Sequence, residues 1–199
     1  MYRKFFKRVI DILGSGFGIL FLFPFFAMIA LAIKIDSKGP VFFKQERLGK
    51  DGKTFKILKF RTMVVNAEKM GDGLIINSDE DDRITKIGKL LRKTSMDELP
   101  QLFNVFGGSM SLVGPRPPVT YHPYKWEDYD DEKRKRFAVK PGITGLAQVT
   151  VRNSVVWDKR IELDVEYIEK LTFILDVKIL LLTVKKIFKR DSIYDEEQE

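Results

Sequence analysis

The pattern of hydrophobic and polar positions divides the chain into one long apolar run followed by short, mixed segments. Residues 12–35 carry no charged side chain before Lys34, a run longer than the ~20 apolar residues that cross a bilayer. Beyond Pro40 the pattern changes. Residues 40–43 read as a short strand, residues 45–52 as a charged turn and residues 54–61 as a second strand. Asp51-Gly52 suits a hairpin turn. Period-two alternation puts Phe55, Ile57, Lys59 and Arg61 on one face of that strand. Residues 63–70 read as helical. Ile84, Ile87, Leu90 and Leu91 recur at helical spacing, which predicts an amphipathic helix over residues 85–93. The glycine-rich stretch 140–145 leads into a predicted short strand at 147–149, and helices are predicted over 158–170 and 171–190. The fold class that follows is α+β: mainly helical, with a short β-hairpin and small strands.

The long apolar run has basic residues on both flanks. Arg3, Lys4, Lys7 and Arg8 lead it, and Lys34, Lys38, Lys44 and Arg47 follow. Positive flanks stay on the cytoplasmic side, so a straight span would place one of them wrongly. Pro24, at the middle of the run, removes a helix hydrogen bond and bends helices. These features predict a re-entrant helix–break–helix that enters and leaves by the same face, with Pro24 at the bend. Neither the short apolar core nor the cleavage site of a signal peptide is present, so the segment is expected to be retained. Three parts result: a membrane-embedded hairpin at 1–38, a mixed, soluble-like domain at the membrane interface at 39–190, and a frayed acidic tail at 191–199. The last helix is apolar with a basic rim of Lys178, Lys185, Lys186, Lys189 and Arg190. It reads either as an interfacial amphipathic helix or as a buried packing helix.

Composition narrows the chemistry. The 199 residues suffice for one domain with a core, and the formal net charge of +7 suits anionic lipid, nucleic acid or a phosphate-rich small substrate. The chain has no cysteine and one histidine, His122, which argues against thiolate chemistry and a zinc site. The strongest chemical signal is the stretch 94–105, where Asp97 and Glu98 stand at a predicted helix start. Ser95 and Glu98 have capping-box spacing, and capping alone would explain the pair. The cations around it point elsewhere. Arg83, Lys86, Lys89, Arg92 and Lys93 precede it, and Gly114-Pro115-Arg116-Pro117 follows. Carboxylates among cations suit a divalent metal and a polyanionic substrate, with a carboxylate as ligand or as nucleophile. Arg116, fixed between prolines, is suited to bidentate phosphate contact. Lys59 and Arg61 either point together at the strand's end or form a solvated, charge-blocked edge.

Phe43-Lys44-Gln45-Glu46-Arg47, Lys59-Phe60-Arg61-Thr62-Met63, the stretches 95–105, 110–117 and 140–149, and Leu163-Asp164 with Tyr167-Ile168 together resemble the bacterial sugar transferases, or monotopic phosphoglycosyl transferases. The short chain is similar to the minimal members that begin bacterial N-linked protein glycosylation. Two positions depart from the family pattern: Val151-Arg152 replaces a glycine–arginine pair, and Phe23 stands where a serine often precedes the helix-breaking proline. The resemblance implies transfer of a sugar 1-phosphate from a UDP-sugar to polyprenyl (undecaprenyl) phosphate, with release of UMP. It implies Asp97 as nucleophile and Mg²⁺ as cofactor, with Asp97 the expected ligand; Glu98 is expected either to act in the chemistry, holding Mg²⁺ or moving a proton, or to serve only as the capping partner. Lys59, Arg61, Arg83, Arg116 and Arg152 are the substrate-binding candidates. The expected setting is the cytoplasmic face of the bacterial inner membrane, with the bilayer and downstream glycosyltransferases as partners and nucleic acid as none. The alternative from composition alone is a membrane-attached basic adaptor without catalysis.

Overall fold

A computed structural model of the chain describes residues 2–67, 70, 81–151 and 156–188. The expected acidic tail, Arg152 and most of the acidic loop before Asp81 lie outside these residues.

The apolar run forms one helix, α1 (Lys7–Asp36), which a π-helical turn at Tyr2–Phe6 precedes. The helix is long and apolar enough to cross a membrane. Pro24 lies inside it without interrupting it, so the helix–break–helix expected at that residue is not seen as a gap. One flank of α1 packs on the rest of the molecule along its whole length. Lys7, Asp11, Ser15, Phe26 and Ile33 are buried there, and Leu22 and Ile29 join the same contact. Gly14 and Gly18 let α1 approach closely, since a Cβ on either would meet Leu112 or Leu102 at 2.8 and 3.2 Å. The opposite flank leaves Leu13, Phe17, Leu20, Phe21, Met28, Leu31 and Ile35 exposed.

Strands β1 (Phe42–Leu48) and β2 (Thr54–Phe60) form an antiparallel hairpin. Asp51 and Gly52, both at positive φ, supply the turn as expected. The first strand runs further than its sequence suggests. Lys44 to Leu48 pair with Leu58 to Thr54, because an edge strand tolerates the outward charges of Lys44, Glu46 and Arg47. Of the helix expected at 63–70, residues 68 and 69 lie outside the described residues; before them Met63 bridges Ile84, and Val65 and Asn66 form a turn. Thr85 caps α2 (Lys86–Lys93) by accepting the Gly88 N–H at 3.0 Å. On that helix Ile87 and Leu91 join Phe26, Ile33 and Phe60 in the core, while Leu90 is turned outward.

Helix α3 (Gln101–Gly107) packs on β2, and Asn104 fixes the contact. Its side chain accepts from Leu58 N at 2.9 Å and donates to Lys56 O at 2.8 Å. Strand β3 (Ser111–Val113) pairs in parallel with β4 (Gly142–Thr144). Helix α4 (Asp131–Arg134) lies between them in sequence, and α5 (Leu146–Thr150) follows β4. The expected strand at 147–149 is thus a short helix. Ala147 and Val149 are buried on it, against α6 (Trp157–Glu169) and α7 (Phe173–Phe188). Helix α7 buries Asp176 and Ile179 and leaves Phe173, Ile174, Val177, Leu181 and Val184 exposed, so it carries a core face and a second, outward apolar face.

Candidate active site

Strand β2 ends beside a single 3₁₀ turn, Met96–Glu98, that carries the acidic pair into α3. Ser95 enters this turn at φ 55° and its side chain caps nothing. The capping box suggested by spacing is therefore not formed. Glu98 goes instead to two cations: Lys59 Nζ donates to its Oε1 at 2.7 Å, and Arg116 Nη2 donates to the same oxygen at 2.8 Å. Burial alone would raise the Glu98 pKa, but Arg116 and Lys59 outweigh that and hold the carboxyl well below its ordinary range. Glu98 is thus ionised at neutral pH and is held by two cations.

Asp97 is different. Its side chain is 14% exposed, its nearest ionic partner is Lys59 Nζ at 3.8 Å, and it makes no hydrogen bond among the described residues. Burial raises its pKa, with Lys59, Arg92 and Arg116 pulling down and Glu98 pushing up. Two adjacent carboxylates thus have opposite environments. Glu98 is saturated, while Asp97 keeps its oxygens for something else. Mg²⁺ takes one or two protein carboxylates and completes its shell with phosphate oxygens and water. A carboxylate without internal partners, beside cations that draw a polyphosphate in, fits that need. Among the described residues no three His, Cys, Asp or Glu side chains cluster as a metal cage.

The loop after β3 supplies Arg116. Pro115, Pro117 and Pro118 are buried, and Arg116 alone of residues 115–118 is exposed. Its backbone is pinned on both sides. Gly142 N donates to Pro115 O at 2.9 Å and Leu48 N to Pro118 O at 3.0 Å. Arg136 Nη2, in a buried pair with Asp164 at 2.6 Å, donates to Arg116 O at 3.0 Å.

Of the sequence candidates, Asp97, Glu98, Lys59 and Arg116 come together. Arg61 does not join them. Past the end of β2 its guanidinium turns to the carbonyls of Ser37, Lys38 and Pro40 at 2.9, 3.0 and 2.6 Å, and it is buried. It clasps the chain that leaves α1, so Lys59 and Arg61 do not point together. Arg83 is buried against Asp81, with Nη2 donating to Oδ2 at 2.5 Å and Nη1 to Met70 O at 2.8 Å. Pro24 stays within α1, on the membrane segment, and Arg152 lies outside the described residues. Two cations near the site carry more than their sequence position suggests. Arg92, in the last turn of α2, acts on Asp97, and its Nη1 is buried without a hydrogen-bond partner. Arg47 on β1 donates to Pro117 O at 3.1 Å. The signal for Arg92 was its place on the charged face of α2, five residues before Asp97. Nothing in the local pattern singles out Arg47 from the other charges of that strand. His122 is exposed and packs edge-on to Trp157.

The family profile described as bacterial sugar transferase matches residues 2–190. The chain is 45% identical over 194 residues to the UDP-glucose:undecaprenyl-phosphate glucose-1-phosphate transferase of Klebsiella pneumoniae, covering 95% of this chain and 41% of that protein. It is 42% identical over 189 residues to the galactosyl transferase CpsE of Streptococcus agalactiae, covering 90% and 41%. With the sugar transferase EpsL of Bacillus subtilis it shares 42% identity over 188 residues, covering 94% and 89%. The chain thus spans about two fifths of the first two relatives and most of the third. It belongs to the bacterial sugar transferase family.

Proposed function

We propose that the protein transfers a sugar 1-phosphate from a UDP-sugar to polyprenyl phosphate through a covalent intermediate on Asp97. The observation that carries this reading is the contrast within the acidic pair: Glu98 is locked by two cations, whereas Asp97 is shielded yet unbonded. In the first step an Asp97 carboxylate oxygen bonds to the β-phosphorus, and the bond from that phosphorus to the bridging oxygen breaks. UMP leaves with that oxygen. In the second step an oxygen of polyprenyl phosphate bonds to the same phosphorus, the acyl-phosphate bond breaks, and Asp97 regains its carboxylate. Lys59, Arg92 and Arg116 offset the repulsion between an anionic nucleophile and a diphosphate, which is the main electrostatic task in phosphoryl transfer. Glu98 orients Lys59 and Arg116 for it. Mg²⁺, held by Asp97 and substrate phosphates, would supply Lewis-acid neutralisation of the diphosphate.

The names of the relatives support UDP-sugar and undecaprenyl phosphate as the substrates. The placement of α1 supports a one-sided membrane insertion. Its N-terminal end is tied to the body by Lys7 on Asp176 at 2.6 Å, and its C-terminal end by the Arg61 clasp. Both ends therefore belong to the same charged body, whereas a straight span would separate them across the bilayer. We place that body at the cytoplasmic face, with the outer flank of α1 and the exposed apolar face of α7 in lipid. A nucleotide sugar from solution and a lipid phosphate from the bilayer then meet at Asp97, and downstream glycosyltransferases would act on the product. With a UDP-sugar and no lipid, wild type should release about one UMP per chain in a burst and then stop. Adding undecaprenyl phosphate should restart turnover. Continuous dependence of the first UMP on lipid would overturn the covalent route, and salt-sensitive lipid binding without UMP release would favour an adaptor.

A further inference from the structure

Two cations converge at the end of α3 that lies away from the acidic pair. The helix stops at Gly107, and Gly108 leaves it at φ 88°. A Cβ on Gly108 would lie 3.1 Å from Arg8 Nη2 and 3.4 Å from Lys140 Nζ. The two side chains come from the first turn of α1 and from the loop before β4, so the tertiary fold brings these like charges together. Arg8 Nη1 donates to Val105 O at 2.6 Å and Nη2 to Phe106 O at 2.8 Å, which uses two of the five guanidinium N–H groups. Lys140 makes no hydrogen bond or ion pair among the described residues. Asp11, the acidic residue that bears on it, is buried, and its Oδ1 already accepts from Ser111 Oγ at 3.0 Å and Leu112 N at 2.9 Å. Burial and the charge of Arg8 lower the Lys140 pKa. An anion placed across the pair relieves that repulsion and completes both donors.

The surroundings say which anion fits. The space beside the pair is open, since a Cβ on Gly107 would meet nothing within 4 Å. From Arg8 a stripe at i, i+4 spacing runs up α1 through Ile12, Gly16 and Leu20. Ile12 and Leu20 are exposed. Phe106 is exposed too and lies against Gly16, where a Cβ would meet its ring at 3.3 Å. A cation pair at the foot of an apolar stripe matches an amphiphile, whereas free phosphate would use the charges and leave the stripe in water. A zwitterionic headgroup brings its own ammonium to the pair, so a lipid of net negative charge is favoured. The acceptor lipid does not suit this place. Its phosphate must reach Asp97, which precedes α3, while Arg8 and Lys140 stand at the other end of that seven-residue helix, about 10 Å along its axis.

We propose that Arg8 and Lys140 bind the phosphate of an anionic phospholipid that stays with the protein and takes no part in the transfer. This rests on the reading that α1 inserts from one side, which puts Arg8 at the level of the headgroups. The acyl chains lie along Ile12, Phe106 and Leu20, and the bound headgroup sets the depth of this end of α1.

The test uses the full chain. Flotation with neutral phosphatidylcholine vesicles comes first: wild type and variants should all float, and a wild type that does not overturns the membrane placement of α1 itself. Native mass spectrometry in detergent then follows a titration with phosphatidylglycerol. Wild type should take up one tightly bound lipid. In Lys140→Gln the concentration that half-saturates this first lipid should rise at least about tenfold, as expected when a charged hydrogen-bonding partner of a phosphate is lost. Lys125→Gln, which removes an equal charge from another exposed position, should shift it less than about twofold. Arg8 also holds α3, so Arg8→Gln counts only if its Tm matches wild type, whereas Lys140→Gln breaks no bond and decides in either case. Neither inorganic phosphate nor undecaprenyl phosphate should displace the bound lipid. Equal uptake by wild type and Lys140→Gln, equal weakening in Lys125→Gln, or no tight lipid on wild type overturns the site. One-for-one displacement by undecaprenyl phosphate would make it the acceptor's, and displacement by inorganic phosphate a plain anion site; either contradicts a resident phospholipid.

Discussion

Lys59 and Arg61 stand two residues apart on one stretch, and their surroundings could hardly differ more. Lys59 meets two carboxylates at 2.7 and 3.8 Å and keeps 17% of its side chain exposed. Arg61 meets three backbone carbonyls and is 5% exposed. A cation among ionised carboxylates remains part of a charged site, where an entering phosphate changes every interaction. A cation wrapped in neutral carbonyls has its donors used up and serves as a cross-link. The basic residues at the end of β2 thus differ in kind: one sits at the acidic pair, and the other fastens the end of α1 to the strand that carries the first.

Four substitutions sharpen this contrast. The largest effect is expected for Asp97→Asn, which keeps shape but removes the nucleophile. UMP release should fall by at least about 10⁴-fold, on the scale of losing a nucleophile elsewhere, with the circular dichroism spectrum unchanged. Lys59→Met should lower kcat/KM by about 10²–10³-fold, the usual loss for one transition-state donor, with little change in Tm. Arg61→Met should do the reverse. It leaves three carbonyls without their charged donor, so a loss of about 3 kcal/mol is expected, seen as a Tm lower by roughly 10 °C for a domain of this size. Activity per folded molecule should stay within about threefold. If Arg61→Met instead abolished activity at full stability, the division of roles would fail.

The smallest effect concerns pH. Asp97 must be ionised to attack, and its pKa is raised by burial, so the acid limb of kcat/KM should lie above the ordinary aspartate range. Glu98 contributes to raising it. Removing that charge in Glu98→Gln should move the limb to lower pH, even as the rate falls because Lys59 and Arg116 lose their anchor. A limb that moves upward in Glu98→Gln would contradict the assignment of Asp97 as the titrating group.

Much of this arrangement is legible in the sequence. Asp51-Gly52 suits the hairpin turn, the apolar spacing of residues 84–91 marks α2, and the helices expected over 158–170 and 171–190 match α6 and α7, because in each case a local preference agrees with the tertiary fold. What could not be read was the destination of long side chains. Period two puts Lys59 and Arg61 on one face, but the strand ends at Phe60, and beyond it the face rule lapses. Ser95 and Glu98 have capping spacing, yet two cations brought from β2 and the proline loop outbid a single backbone N–H. Residues 147–149 look β-prone, but a five-residue helix forms there because α6 and α7 cover Ala147 and Val149. The cations at the acidic pair come from α2, β2 and the proline loop, and no sequence window spans those three.

The proposed reaction requires that Asp97 carry the phosphosugar. Intact-mass spectrometry of the protein after incubation with a UDP-sugar and Mg²⁺, without lipid, tests this directly. A mass increase equal to one sugar phosphate is expected on wild type, mapped to the peptide that contains Asp97, absent from Asp97→Asn and lost on adding undecaprenyl phosphate. An unmodified wild-type mass under conditions that support lipid-dependent turnover, or an adduct that persists in Asp97→Asn, would contradict it.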